Sequence, residues 1–485
     1  MTDTGTECKG LKAKRSKLAI GSVLLEGLAV ALLYFLKPTL GFLAASAGAI
    51  AAIVSLAKIR KSKKKVRGKS FAIAAIIFAS IQAVLLSYWR IDAAPVPNDY
   101  TISDIRSASP EYNRSYELLE SLGDEDDKRD DAPAIGLSDE DVKNLEAITE
   151  IFKKADYSEI SAGLIANSEN ILLIWKNAGK GRDGIDELSK FPEIADLTKP
   201  TIQFEFLFLK NLKRLVRLYR AYICLQSCQG NEEIALKELL QFDGVFRKLN
   251  LNARSLITKL VCDGCFAADI ESANFIINNP KTTQDSLIRL AEYFTPPAIE
   301  QVTWQNSIKF EYLMFKYELN KISDEPKLKY SLLSLLKLNS TFRLYKNFCD
   351  GWLAIEENQP EIEELTVWPA IYPKLTVTID SNCNLPWYYK AYNPIGSTLL
   401  GILIPALDKV IQIKTKLQIH YDLLQIVLNK RLGKEVSLKA RAYSDNYIID
   451  IEKKKIFSPG PDGESHTKDD IKLIINPEVL VPASQ

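Results

Sequence analysis

Histidine is nearly missing from this chain: His420 and His466 are the two in 485 residues. That leaves little material for imidazole-based proton transfer or metal ligation. His420 falls inside a long apolar-periodic segment and His466 in a turn, so neither has an evident catalytic companion. Also missing are HExxH, GxSxG, the P-loop and the dinucleotide fingerprint. Ser55-Leu-Ala-Lys58 fits SxxK, but it sits in an apolar stretch and is a chance match. An enzyme would have to be built from scattered carboxylates, and no catalytic residue is assigned. Sustained period-two alternation is missing between Ser138 and Lys321, which excludes a β-rich body there. A charge excess is missing too, with 62 basic residues against 61 acidic ones. The balance conceals an asymmetry: residues 1–90 carry 15 Lys and Arg against 3 Asp and Glu, leaving 47 against 58 in the remainder. An acidic C-terminal part repels a phosphate backbone, so no nucleic acid is expected as a partner.

What is present is the composition of a folded protein, 47% hydrophobic and 25% charged, with room for two or three domains. Three apolar stretches open it, Leu18–Leu36, Leu40–Ala57 and Phe71–Trp89, each close to the length of about 20 residues that spans a bilayer. They are too many and too long for a cleaved signal peptide. Only Glu26 interrupts them. Gly21-Ser-Val-Leu-Leu-Glu26 is similar to a prepilin processing site, whereas an intramembrane carboxylate otherwise stays neutral or paired inside a helix bundle.

Lys and Arg flanking a span remain on the cytoplasmic side. The basic tail, residues 1–17, has Lys9, Lys12, Lys14, Arg15 and Lys17, and the loop before the third stretch has Lys58, Arg60, Lys61, Lys63, Lys64, Lys65, Arg67 and Lys69. The first hairpin tip has Lys37 alone. The sequence therefore predicts a three-span anchor over 18–90, with tail and loop inside and everything after Trp89 outside. The expected location is the bacterial cytoplasmic membrane, multi-pass, with the large C-terminal part extracytoplasmic (periplasmic).

Leu18-Ala-Ile-Gly-Ser-Val-Leu-Leu-Glu26, Ser55-Leu-Ala-Lys-Ile-Arg-Lys-Ser62 and Arg67-Gly-Lys-Ser-Phe-Ala-Ile-Ala74 together resemble the DUF4190 membrane module of bacterial envelope proteins. The likeness covers residues 16–90 and implies an anchor, with no activity attached. Glu26 departs from the small residue usual at that position.

Residues 91–137 read as a linker, with Pro95, Pro97 and Pro110, a short helix over Pro110–Leu122, and the acidic loop Gly123–Asp131. A helical body is predicted over 138–364. Ser138-Asp-Glu-Asp141 opens a helix like a capping box. Over Phe204–Cys228, Phe204, Phe208, Leu212, Leu215, Tyr219, Tyr222 and Cys228 lie along one stripe of a helix stopped by Gly230, flanked by Lys210, Lys213, Arg214, Arg217 and Arg220. Those cations read as a solvated or acid-paired face. Further helices are expected over Glu232–Leu249 and Ala253–Ile277, giving an α-hairpin array resembling tetratricopeptide packing without a fixed repeat. Cys224 and Cys228 share one helix face, and Cys262 and Cys265 share another. Three states are open to them: bridges Cys224–Cys262 and Cys228–Cys265 in an oxidising compartment, a four-thiolate metal site, or buried free thiols. Cys349 and Cys383 form one further possible pair.

A connector over 365–397 mixes short β-like pieces with Trp, Tyr and Pro. The last segment, 398–485, is predicted as a long helix over Thr398–Leu432, bent at Pro405, with Leu407, Val410, Ile411, Leu417, Tyr421, Leu424 and Val427 on its apolar face. A hairpin, Tyr447–Ile451 with Lys455–Phe457, and the loop Ser458–Ile471 follow.

Long helix, small hairpin and a Gly-Pro-Asp-Gly463 loop ending in Asp-Asp-Ile471 are together similar to the C-terminal part of type II secretion major pseudopilins. In that family the loop binds calcium, and the resemblance implies Asp462, Asp469 and Asp470 as Ca²⁺ ligands, with carbonyl oxygens completing the shell. The same Pro-Asp-Gly is also a good plain turn. The order of parts, from helical body through Tyr392-Asn-Pro-Ile-Gly396 to the long helix and loop, resembles large uncharacterised envelope proteins of planctomycete and verrucomicrobial bacteria over roughly residues 105–475.

The expected fold is mainly α: transmembrane helices, an extracytoplasmic α-hairpin body, then a long helix with a small β-hairpin. The expected function is a membrane-anchored extracytoplasmic scaffold or interaction protein, without catalysis, whose partners are the lipid bilayer and an envelope protein. The alternative is a pseudopilin-like component of a secretion or pilus-type assembly with a calcium-binding loop.

Overall fold

A computed structural model describes residues 20, 22–24, 38–61, 68–90, 92–123, 135–154, 156–201, 207–295, 303–324, 336–357, 390, 392–440, 443–444, 446–460 and 462–480. The chain divides into two compact units. One comprises residues 1–95, 322–341 and 387–397, and the other residues 96–321, 342–386 and 398–485.

In the first unit, helices α1 (Pro38–Lys61) and α2 (Lys69–Arg90) pack against each other. They coincide with the second and third predicted spans; the first lies almost wholly outside the described residues. Among the described residues no helix is long and apolar enough to cross a membrane. The pair buries Ala52, Ser55, Ala72 and Ala75 and turns Ile50, Ile53, Ile73, Ile77, Phe78 and Ile81 outward. Ser80, on the outer face, satisfies its hydroxyl on the Ile76 carbonyl of its own helix at 2.9 Å. After α2, the Asp92 carboxylate accepts the amides of Asn339 (2.9 Å) and Ser340 (3.0 Å), two of the orphan donors at a later helix start.

The second unit is mainly helical, with a small antiparallel sheet. A 3₁₀ turn over Pro110–Tyr112 leads into α3 (Asn113–Ser121), where the sequence predicts one continuous helix. Next come α4 (Asp139–Ile151), α5 (Tyr157–Ala166), α6 (Ser168–Asn177), α7 (Gly179–Lys190), α8 (Leu207–Cys228), α9 (Glu232–Asn252), α10 (Leu256–Asn278) and α11 (Gln284–Tyr293). Local chemistry sets these starts. Ser138 accepts the Asp141 amide at 3.1 Å while Asp141 returns the bond to the Ser138 amide at 3.0 Å, which is the predicted capping box. Ser255 caps α10 by accepting the Thr258 amide at 3.0 Å, and Thr283 caps α11 by accepting the Ser286 amide at 3.3 Å, both without the reciprocal bond.

Helices α8, α9 and α10 pack mutually and form the centre. Phe208, Leu212, Leu215 and Tyr219, the predicted stripe of α8, are buried there, and Tyr219 stacks on Phe242 of α9 at 3.9 Å between ring centroids. Burying each such side chain contributes about 1.5–3 kcal/mol. Helices α4 to α6 pack on α8, and α7 packs on α9. Helix α12 (Gln305–Asp324) meets α13 (Leu338–Glu357) through Phe315 and Tyr345, 5.1 Å apart.

Helix α14 (Pro394–Arg431) begins four residues before the predicted Thr398 and runs through Pro405. The predicted boundary at 397/398 therefore cuts a continuous helix, while most of the predicted connector lies outside the described residues. Leu417, Tyr421, Leu424 and Val427 are buried in the same core as α8 to α10. The helix stops at Gly433, whose φ of +71° allows Lys434 to donate to the Asn429 carbonyl at 2.9 Å.

Strands β1 (Ile448–Asp450) and β2 (Lys455–Ser458) are the predicted hairpin, joined by β3 (Ile471–Ile474) in the order β1-β2-β3. Ile456, Ile471 and Leu473 face the helical core. β3 lies against α10, where Asn274 (2.7 Å) and Asn278 (3.1 Å) donate to the Ile474 carbonyl. A final turn of helix, α15 (Pro477–Leu480), follows.

Candidate functional site

The predicted C-terminal loop forms, and its acidic residues are consumed locally. Asp462 Oδ1 accepts the Glu464 amide at 2.9 Å, a tight Asx turn. Asp469 accepts the Thr467 hydroxyl at 2.6 Å, and its carboxylate rests so closely on Gly460 that a Cβ there would lie 2.1 Å from Oδ2. Asp470 Oδ2 accepts the His466 amide at 3.0 Å and faces Lys455 Nζ at 3.5 Å, while Oδ1 is buried with no hydrogen-bond partner. Asp469 Oδ2 also accepts the Asp462 amide at 3.4 Å, so Asp462 and Asp469 meet, while Asp470 is turned to His466 and Lys455. Among the described residues no group of three or more His, Cys, Asp or Glu side chains could hold a metal ion.

The four clustered cysteines are free thiols. Cys224 hydrogen-bonds Ser272, and Cys228 lies 3.2 Å from Ser161 Oγ. Ser272 is ten residues beyond Cys262 along α10, about 15 Å at helical rise. A disulfide needs Cα atoms within about 7 Å. The register of α8 on α10 therefore does not bring the predicted bridge partners together. Burial pushes the thiols of Cys224, Cys262 and Cys265 up. Cys383 lies outside the described residues. Of the predicted topogenic cations, Lys58, Arg60 and Lys61 sit exposed in the last turn of α1 and Lys69 opens α2; Lys63, Lys64, Lys65 and Arg67 lie outside the described residues.

A cleft that sequence reasoning missed lies where the end of α4, the start of α5, α8, α10 and the sheet meet, with a volume of about 370 Å³. Its walls are apolar: Phe152, Tyr157, Ile160, Phe275 and Leu473, with the Tyr157 and Phe275 rings 4.6 Å apart. Its charged groups are almost all cations, namely Lys153 and Lys154 after α4, Arg220 of α8, Lys453 and Lys455 around the β1–β2 turn, and Lys472 of β3. The single lining carboxylate, Glu271, receives Arg220 Nη2 at 2.5 Å. The Arg220 guanidinium also lies over the Phe152 ring at 4.0 Å, and its Nε is buried without an acceptor.

The cleft is braced by one contact distant in sequence. Lys454, at the tip of the β1–β2 turn, is ion-paired with Asp156, which caps α5 by accepting the Ser158 amide at 2.8 Å. The lysine and the Ser158 donors pull the Asp156 carboxyl down to about 2. Of the predicted basic face of α8, Lys210 and Lys213 are exposed, Arg214 bonds Asn211, and Arg217 reaches Glu146 at 3.8 Å. Arg220 alone of that set enters the cleft. The signal was dispersed: Phe-Lys-Lys154, Lys-Lys-Lys455 and the lone Lys472 are up to about 320 residues apart.

Perturbed carboxylates exist elsewhere, and none of them lines the cleft. Burial, opposed by Lys259, raises the Asp263 carboxyl to about 6. Burial and the neighbouring Asp243 push Asp269 well above the usual range. Asp243 is paired with Arg247, whose guanidinium is packed among Tyr293, Phe294 and Tyr421. His420 is half-buried, and its desolvation lowers its basicity despite Glu271 nearby. Set beside known family models, curated proteins and solved structures, the chain matches none.

Proposed function

We propose that the chain is a membrane-anchored interaction protein of the bacterial envelope, without catalysis, whose helical body is extracytoplasmic and presents the cationic cleft to a ligand. The observation that carries the anchor is the inverted packing of α1 and α2, with Ala52, Ser55, Ala72 and Ala75 inside and isoleucine and phenylalanine outside. Water penalises that arrangement, whereas lipid does not distinguish it energetically and close helix approach through small residues favours it. The flanking Lys and Arg supply the orientation. For the binding role, the support is a concave cleft that sets aromatic walls beside a group of cations. Extraction of membranes with alkaline carbonate tests the anchor: the full chain stays with the lipid, and its release into the supernatant would sink the reading.

The alternative, a component of a pilus-type or secretion assembly with calcium in the C-terminal loop, draws on the unpartnered Asp470 Oδ1. It predicts that millimolar Ca²⁺ raises the melting temperature relative to a chelator, and that Asp470→Asn abolishes the difference.

A further inference from the structure

The cleft holds more positive charge than the protein around it uses. Lys153 pairs with Glu150 in a solvent-exposed contact of little strength. Lys453 approaches Asp450 only at 3.9 Å, whereas Lys455 is engaged, facing Asp470 at 3.5 Å with its Nζ over the Phe457 ring at 4.3 Å. Lys154 and Lys472 make no ion pair among the described residues, and both line the cleft. This concentration lies in the part of the chain that is acidic overall, so it is a local feature and no general basic surface. Like charges gathered from three separate elements repel one another unless an anion sits between them.

The shape of that anion follows from the walls. Glu271 fixes one edge of the Arg220 guanidinium while its Nε is left as a buried donor without an acceptor. A pre-oriented guanidinium beside several ammonium groups suits a multiply charged oxyanion better than a single carboxylate. Phe152, Tyr157 and Phe275 offer aromatic surface next to it, and about 370 Å³ is near the lower end of small-molecule sites.

We propose that the cleft binds an organic phosphate, with the phosphoryl group held by Lys154, Lys472 and Arg220 and an apolar substituent lying against Phe152, Tyr157 and Phe275. This rests on the body being a binding module and is independent of the anchor: release of the chain by carbonate leaves it intact. A phospholipid headgroup and a free phosphate ester share this chemistry.

The test is calorimetric titration of the full chain in non-ionic detergent with 1-naphthyl phosphate, inorganic phosphate and 1-naphthol. The ester is expected to bind at least roughly tenfold more tightly than either fragment, because only it uses both the cations and the aromatic wall. Lys154→Gln with Lys472→Gln should weaken it by roughly tenfold with an unchanged melting temperature, and the two Arg replacements should retain binding. Competition by phosphatidic acid in mixed micelles assigns the ligand to lipid, and its failure to compete assigns a free ester. Binding of the ester no tighter than of 1-naphthol, or a double Gln variant that binds as the parent does, overturns the proposal.

Discussion

Helices α1 and α2 and the central helices α8, α9 and α10 bury opposite kinds of residue. The first pair meets through alanine and serine and leaves Ile50 and Ile77 more than half exposed, at 62% and 52%. The central three meet through Phe242, Phe246, Leu215, Tyr219 and Ile276, and carry Lys213, Lys237 and Glu233 outward. Both are helix packings that obey the same steric rules. On the proposed reading they differ in what surrounds them: where large apolar groups gain nothing by leaving the solvent, small residues take over the contact. The contrast is what supports the proposed anchor.

The comparison breaks first at Phe242. Replacing it with alanine removes a ring stacked on Tyr219 and edge-on to Phe246 at 4.9 Å, and should cost about 3–5 kcal/mol by urea unfolding. Ile77→Ala, equally apolar but on the outer face of α2, should stay within about 0.5 kcal/mol in detergent.

Titration gives the next largest effect. Asp263 has a folded value of about 6 against an ordinary 3.8, so the fold binds its proton more tightly than the unfolded chain does. Its contribution is fully present below pH 4 and is lost as pH rises through 6, roughly 3 kcal/mol in all. Asp263→Asn should flatten that slope in unfolding measured from pH 4 to 7. Asp156 works in the opposite sense, since Lys454 depresses it to about 2; its contribution is present above pH 4 and disappears as pH falls through 2.

Overpacking sharpens the anchor side. Ala72→Leu inserts three carbons into the α1–α2 contact and should lower stability in detergent by about 1–3 kcal/mol, whereas a neutral result would mean that the small residues are not close-packed. Smallest is Asp156→Ala, which removes the α5 cap and the exposed partner of Lys454 for about 1 kcal/mol.

Much of the body was legible because helical periodicity is a local signal. The α8 stripe, the Ser138–Asp141 box and the stop at Gly433 are read from residues within one or two turns. β3 was not, because Ile471-Lys-Leu-Ile474 is too short for alternation to register, and only its pairing with β2 and the Asn274 and Asn278 donors on its other side make it a strand. The cysteine spacing reads as two helix faces but could not supply the ten-residue offset of α8 against α10. The cleft was the least legible part: Lys154, Arg220 and Lys472 each look like a solvated surface charge until the hairpin turn is pinned by Asp156.

The central claim is that the body lies across the membrane from the basic loop. In a background with Cys8, Cys228 and Cys383 replaced by Ser, Lys281→Cys places one exposed thiol between α10 and α11 while Cys224, Cys262, Cys265 and Cys349 remain buried. Ser62→Cys marks the loop after α1. A membrane-impermeant maleimide applied to intact cells should label Lys281→Cys at once and Ser62→Cys only after lysis. Labelling of Ser62→Cys from outside, or of Lys281→Cys only after lysis, would contradict the topology.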